Sequence, residues 1–428
     1  KNSDIKEHDI LMKINNYECI PQLVFSTWNE GGKKIDTDIQ NNYNSLDFSS
    51  LNNIKVAFHD NCLCERGTST SLYDYAYYNE KIINNKSIIF YNKNNANNKK
   101  QIIEKFNKQF TVYGYTEWSE IDIILKNEEC KYLYLIKYGN NDGKLSTYAN
   151  NLIHCVFTCN EPHGNIYTSI SPSVKNNDGN YPIVPHMINL PDHNGNLRQK
   201  LKIPENAIVF GGYGGKYNFN IKYVVKIVVN IAKNNPNIYF LFANFNKFSE
   251  NLNNIIFLPT IINTHDKVKF INTCDAMIWA RADGETFGIA IGEFSSKNKP
   301  ILACKSYSES NNFDTAHVKL LGEKAIWYNK DNLEKIILNF NPAFESTKDW
   351  NAYKEYTPKK VMKIFEKTFL NLDNDFVFIS QKDQIGNDIY FNKNSIFRMK
   401  QIALKNEKCV GFNTLGFFKN KIDNLTIS

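Results

Sequence analysis

Long apolar runs are missing from this sequence. Nowhere do about 18 uncharged, apolar residues follow one another, so a membrane-crossing helix is not expected. The first residues also lack the basic-then-apolar pattern of a secretory leader. Runs of like charge are missing too. Lys and Arg number 51 against 44 Asp and Glu, for a formal net charge of +7, and the basic residues are scattered. That distribution argues against a nucleic-acid partner. It leaves room for weak attraction to anionic sugars, nucleotides or a membrane surface as a peripheral contact. No C-x-x-C pair exists to build a zinc or thioredoxin-type site. The nine cysteines show no disulfide framework, and Cys62/Cys64 and Cys155/Cys159 read as small buried side chains in a reducing, cytoplasmic setting. No G-x-S-x-G elbow follows a strand, which argues against a serine hydrolase. "DTD" at 36–38 and "DND" at 373–375 lie in polar stretches, and no H-x-x-x-H occurs, so no metal site is expected.

What is present is apolar and aromatic material in quantity. Hydrophobic residues make up 42% and aromatics 14% of 428 residues, enough for more than one core. Residues 1–52 are polar and Asn-rich and read as an extension. "NIKVAFH", "SIIFYN", "FTVYGYT", "KYLYLIKYG" and "NLIHCVF" then read as short strands, separated in places by amphipathic stretches such as "TSTSLYDYAYYNEKII". A second series, "AIVFGGYG", "NIYFLFAN", "NIIFLPT", "AMIWAR", "PILACK" and "AIWYN", alternates with helical segments. This is the βαβ rhythm of doubly wound parallel sheets. The expected fold class is therefore α/β, with two Rossmann-like domains at 53–198 and 199–345. A joint rich in Pro, Gly and Asn lies near 188–206. A helix over 357–370 lies within a 346–372 segment, and 373–428 reads as a small α+β module.

The stretch "RADGETFGIAIGEFSSKNKPIL", residues 281–302, carries the sharpest signal. A buried strand, "AMIWAR", feeds a loop with Gly284 and Gly288, then a helix that ends before Pro300. Such a loop at the carboxyl end of a strand, running into a helix N-terminus, suits an anionic ligand. Glu293 stands among Ala290, Ile291 and Phe294, where a carboxylate is costly unless hydrogen bonds reach it. With Glu285 eight positions earlier, the two acids are expected on nearly one helix face, roughly 12 Å apart at about 1.5 Å per residue. That spacing is on the order of the distance from the ribose of a nucleoside diphosphate to an attached sugar.

"DGETFGIAIGEFSSKNKPIL" resembles the E-x7-E segment of GT-B glycosyltransferases of the GT4 type. "HDNCLCERGTSTSLYDYAYYNEKIINNKSIIFYN" and "VFGGYGGKYNFNIKYVV" resemble that family's N-domain donor loop and the opening of its C-domain. The resemblance spans about residues 53–370. It implies two Rossmann-like domains facing across a cleft, with the final helix crossing back onto the N-domain, and a nucleotide-diphosphate sugar as donor substrate. It also implies retention of anomeric configuration, with no cofactor and no obligatory metal. Glu293 would hold the ribose hydroxyls. Glu285, with the amides of Thr286, Phe287 and Gly288, would hold the transferred sugar and its phosphate, beside Asp283 and Gly284.

Further candidates follow. Gly67 and Thr68 open a helix directly after the first N-domain strand. Their amides would face the diphosphate, or the Ser/Thr cluster there would simply cap the helix. Gly214 and Lys216 belong to a Gly-rich turn after the first C-domain strand. Members of the resembled family carry an Arg and a Lys there as a diphosphate clamp; here the Arg position corresponds to Gly212, and Arg281 is a candidate substitute. His154 is expected to donate to sugar hydroxyls, or else to be a satisfied core residue. His59 with Asp60, His163 and His186 are weaker candidates. The function expected is a hexosyltransferase of the GT4-like type with a glycan, lipid or protein-linked acceptor. The alternatives are a GT-like sugar- or nucleotide-binding protein without turnover, and a GT-B nucleotide-sugar epimerase.

Overall fold

The computed structural model describes residues 10–13, 54–177, 181–249, 252–310 and 313–370, and within the terminal part 376–379, 382–383, 386–391, 399, 402–403, 406, 408–413, 415–422 and 426–427. Strand β1 (Ile10–Lys13) belongs to a terminal module treated last.

The N-domain is one six-stranded parallel sheet. Its strands are β2 (Lys55–Asp60), β3 (Lys86–Asn92), β4 (Thr111–Tyr115), β5 (Tyr132–Lys137), β6 (Asn150–Cys155) and β7 (Ile166–Ser169), in the spatial order β4-β3-β2-β5-β6-β7. The C-domain repeats the plan with β8 (Ile208–Tyr213), β9 (Ile238–Ala243), β10 (Ile255–Leu258), β11 (Ala276–Ile278), β13 (Ile301–Ala303) and β15 (Ile326–Trp327), ordered β10-β9-β8-β11-β13-β15. Both orders are the doubly wound 3-2-1-4-5-6 pattern, which reverses direction next to its first strand and opens a crevice at the carboxyl ends there. The central strands are apolar on both faces, as a sheet covered by helices on each side requires. Val56, Ala57 and Phe58 in β2, and Val209 and Phe210 in β8, are fully buried. Eleven of these twelve strands match the sequence expectation; β7, only four residues long, had no strand signal strong enough to separate it from the loop around it.

The helix expected to carry both acids is shorter than expected. It runs over Ile289–Ser296, starting after Gly288, whose backbone is left-handed at φ 84° and ψ 63°. Glu285 lies outside it, in a two-residue strand β12 (Gly284–Glu285) that pairs in parallel with β14 (Asp314–Thr315). Gly284 has φ 73°, and a Cβ there would stand 2.0 Å from the Asp314 carbonyl oxygen, so this bridge excludes a side chain.

The joint between the domains is pinned by Arg198. Its Nη2 meets Asp275 at 2.9 Å, and its Nη1 donates to the Ala207 carbonyl. Downstream, the Pro358–Phe365 helix and the π-helical turn Glu366–Leu370 lie against the N-domain. Phe365 stacks on Tyr75 with centroids 5.3 Å apart and on Phe58 at 6.1 Å, and Phe369 meets Tyr134 edge-on.

The terminal module is an antiparallel sheet ordered β16-β1-β19-β20-β18, with β16 at Phe376–Ile379, β18 at Asp388–Phe391, β19 at Gly411–Asn413 and β20 at Phe417–Lys419. A two-stranded pair of β17 (Lys382–Asp383) and β21 (Thr426–Ile427) accompanies it. Strand β1 sits between β16 and β19, so chain from the expected N-terminal extension completes the C-terminal module. Met399, Ala403, Cys409, Phe412 and Phe418 form a small core there, against which Tyr390 packs. The aromatic Phe397 and the "DTD" and "DND" stretches lie outside the described residues.

Candidate active site

A cavity of about 460 Å³ opens where the two sheets' first strands end. The loop after β2 (Cys64–Thr68), the turn after β8 (Tyr213–Gly215) and the segment after β11 (Trp279–Arg281) all reach it. Helices contribute from each side: Tyr73 and Asp74 from Gly67–Lys81, and Lys105 from Lys100–Asn107, face Lys267 from Thr264–Thr273 and Glu293 from Ile289–Ser296.

The two acids stand in different settings. Glu293 is 5% exposed. Its Oε1 accepts from Lys267 Nζ and its Oε2 from Tyr213 Oη, both at 2.6 Å. Burial and the neighbouring Glu293 carboxylate push the Tyr213 hydroxyl well above its usual range, so it stays a donor. Glu285 accepts from Trp279 Nε1 and from Arg281 Nη1, both at 3.0 Å. Each carboxylate thus has one partner on each oxygen. About four lone-pair positions exist per carboxylate, so each acid keeps acceptor capacity for a ligand hydroxyl. Between them, Gly288 starts a helix whose first intrahelical bond is Gly292 N–H to the Gly288 carbonyl, at 2.9 Å. The preceding N–H groups have no partner within the helix and carry its positive dipole end. Phe287 is anchored below, its carbonyl taken by Tyr353 Oη at 2.8 Å.

Of the residues singled out from sequence, Gly67, Thr68, Gly214, Arg281, Glu285, Thr286, Phe287, Gly288 and Glu293 line this one cavity. Four do not. Lys216 is exposed and is not among the residues lining the cavity, and its carbonyl accepts from Asn246 N–H. The Asp283 side chain is 67% exposed. Gly284 is committed to the β12–β14 bridge. His154 is fully buried, with Nδ1 on Tyr134 Oη at 2.5 Å and Nε2 on the Val184 carbonyl at 2.7 Å. Burial lowers its pKa to about 3. Both nitrogens are engaged inside the core, which corrects the expectation that His154 donates to a sugar. The histidine on the cavity wall is His186, 4% exposed, with Nδ1 unpartnered and its ring edge-on to Phe287. Burial holds it neutral. His59 is likewise buried and bonded to Tyr115 Oη, away from the cavity.

Gly212 lies inside β8, and a Cβ there would stand 3.0 Å from the Ile278 carbonyl oxygen. A cationic side chain at that position would require the backbone to shift. Arg281, the expected substitute, is bound to Glu285, with Asp283 3.8 Å from its Nε.

Sequence reasoning missed Arg66, Asp74, Lys105, Tyr213 and Lys267. One signal for Asp74 was available: seven residues after Gly67 is two helical turns, so a cavity-facing Gly67 brings Asp74 to the same face. Burial raises the Asp74 pKa to about 7, against the opposing charges of Lys105 and Lys267. Cys62 and Cys64 have sulfurs 3.7 Å apart and are buried, and Cys64 lines the cavity. No group of three His, Cys, Asp or Glu side chains placed to hold a metal occurs among the described residues. No helix among them is long and apolar enough to cross a membrane.

Two Rossmann-like domains with a cavity at their facing switch points define the GT-B fold, and solved structures agree. A glycosyltransferase from Rickettsia africae superposes with a TM-score of 0.55 at 14% identity, covering 75% of this chain and all of that one. HepE of Anabaena in complex with UDP and glucose gives 0.50 at 12% identity over 73% of this chain and 98% of its own. MnaA of S. aureus with UDP gives 0.50 at 10% identity over 75% and 97%. Among curated proteins, "Putative fucosyltransferase R654" of Acanthamoeba polyphaga mimivirus is 36% identical over 110 residues, which is 24% of this chain but only 18% of that protein's length. No family model matches the sequence. The chain is thus glycosyltransferase-like in fold.

Proposed function

We propose that the protein is a glycosyltransferase that moves a sugar from a nucleotide-diphosphate donor to an acceptor hydroxyl with retention of configuration, in the manner of the GT4 type. The observation that carries this reading is the pair Glu285 and Glu293, both on one cavity and flanking a Gly-initiated helix N-terminus between two Rossmann-like domains. Glu293 accepts from the ribose hydroxyls. Glu285, with the Thr286–Gly288 backbone, holds the transferred sugar and its phosphate. The acceptor enters from the N-domain side, and the leaving phosphate oxygen takes its proton, so no strong protein base is needed. Positioning and fixed dipoles supply the rate. The diphosphate charge is met by helix termini and cationic side chains, so the reaction proceeds without a metal ion, and chelation by EDTA leaves turnover unchanged.

Thermal melts with UDP-, GDP-, ADP- and TDP-sugars test the donor. A ligand at about 100 times its Kd adds roughly 2.7 kcal/mol to the native state. Glu293→Gln is expected to weaken that donor about tenfold or more, and Glu285→Gln to lower turnover more than binding. Unchanged affinity and turnover in both variants would overturn the reading.

Binding without turnover is a second reading, favoured by one observation: both acids already hold cations of the protein, and the turn after β8 offers none to the cavity. Mass spectrometry separates the two. Transfer or hydrolysis of the donor supports the enzyme, an intact donor supports the binder, and a product that is still a nucleotide sugar indicates an epimerase.

A further inference from the structure

The charge that develops on a departing diphosphate needs a cation, and among the described residues the C-domain cations that line the cavity, Lys267 and Arg281, are both paired with carboxylates. Four cationic residues line the cavity among the described residues: Arg66, Lys105, Lys267 and Arg281. Two are bound to carboxylates, Lys267 to Glu293 at 2.6 Å and Arg281 to Glu285 at 3.0 Å. Lys105 lies 4.3 Å over the Tyr73 ring, in the part of the cavity near Asp74. Arg66 differs. Its side chain is 47% exposed, and its ion-pair partner Asp60 lies at 3.8 Å. One nitrogen, Nη2, anchors it, donating to Asn61 Oδ1 at 2.9 Å and contacting Cys62 Sγ at 2.7 Å. A guanidinium held by one nitrogen still has a fork of donors to offer.

Its place in the fold matters as much. Arg66 immediately precedes the Gly67–Lys81 helix. A Cβ on Gly67 would stand 3.4 Å from Ile289 Cδ1, so this helix start and that of Ile289–Ser296 meet across the cleft. Two positive dipole ends converge there, beside a half-exposed cavity cation whose carboxylate partner, Asp60, lies at 3.8 Å.

We propose that Arg66, on the N-domain, is the catalytic cation that binds the donor's diphosphate and stabilises it as it leaves, in place of a clamp on the C-domain. This rests on the transferase reading. In the step, the bond between sugar C1 and the diphosphate oxygen breaks, with its electron pair going to that oxygen. The acceptor oxygen bonds to C1, and its proton passes to the same phosphate oxygen. Arg66 donates hydrogen bonds to the phosphate as its charge grows. Because the cation comes from one domain and the acids from the other, productive binding requires both walls of the cleft.

The test uses the full chain and four variants. With whichever of UDP or GDP gives the larger wild-type thermal shift, Arg66→Met is expected to lose about tenfold or more in diphosphate affinity and little for the matching nucleoside monophosphate. Its kcat is expected to fall about 10²-fold, in line with loss of a preorganised donor. Arg66→Lys should retain part of the rate, and added guanidinium should partly rescue Arg66→Ala, a response a purely structural arginine would not give. Equal losses for mono- and diphosphate, or turnover in Arg66→Met within twofold of wild type, overturn the assignment. So does a large loss in Lys216→Ala without one in Arg66→Met. If the wild type binds diphosphates but turns nothing over, the affinity split still decides Arg66's role at the phosphate, while the transferase reading falls. If it binds none of these nucleotides, both fall.

Discussion

Glu293 shows how a sequence oddity becomes a site. A carboxylate at 5% exposure is tolerable because Lys267 and Tyr213 each give it a hydrogen bond; removing one partner of such a pair leaves the other buried and unpaired. Asp74 poses the opposite problem, since no comparably close cation offsets its burial. Its carboxyl titrates near 4 when unfolded and near 7 in the fold. The folded state therefore binds the extra proton between those values. Stability from this group is greatest below about pH 4, declines as pH rises, and is lowest above 7. Asp74→Asn removes the ionisation. It should be neutral near pH 4 and stabilising, by on the order of 1 kcal/mol, at pH 8. Thermal melts of both proteins across that range check the sign. A gain confined to low pH would contradict the assignment.

At the level of elements, glycines decide what the loop between β11 and the Ile289–Ser296 helix can be. Gly288 takes the left-handed turn that lets the helix begin four residues beyond Glu285. Gly284 permits β12 to lie against β14. Gly284→Ala would put a methyl into the Asp314 backbone at a positive φ, at a cost on the order of 1–3 kcal/mol. Because β12 carries Glu285, the same substitution should also lower turnover. A melt and a turnover assay on this variant test the two effects together; a loss of stability with full turnover in the folded protein would mean the bridge is not what positions Glu285. The sequence showed both glycines but not which would pair and which would cap. It therefore assigned Glu285 to the helix. Two-residue strands leave no periodicity to read, and their existence depends on a partner segment about thirty residues away.

At the level of the molecule, the two halves are tied by the chain crossing between them twice. Arg198 fixes the joint on one side, and the Pro358–Phe365 helix docks on the other. Phe365 is fully buried between Phe58, Tyr75, Tyr134 and Phe369. Phe365→Ala should cost about 3–5 kcal/mol, read as a large fall in Tm. Nucleotide binding in the surviving folded fraction would report how far the C-domain alone carries the donor. This aromatic set gathers residues from β2, β5, the first helix and the last, so its composition was visible in the sequence and its assembly was not.

The sequence by itself determined the α/β class, eleven of the twelve central strands and the loop that bears the two acids. These follow from local periodicity, β-branched runs and breaker residues, all short-range properties. The tertiary structure alone decided which polar groups share the cavity. It drew His154 into the core and brought His186 to the wall, left Lys216 exposed and off the cavity lining, and gathered Arg66, Asp74 and Lys105 opposite Lys267 and Glu293. It also placed β1 in the sheet of the terminal module. Those outcomes depend on the direction in which a strand end or helix face points once two domains meet, and on which charges then find partners. Neither is encoded by neighbours along the chain.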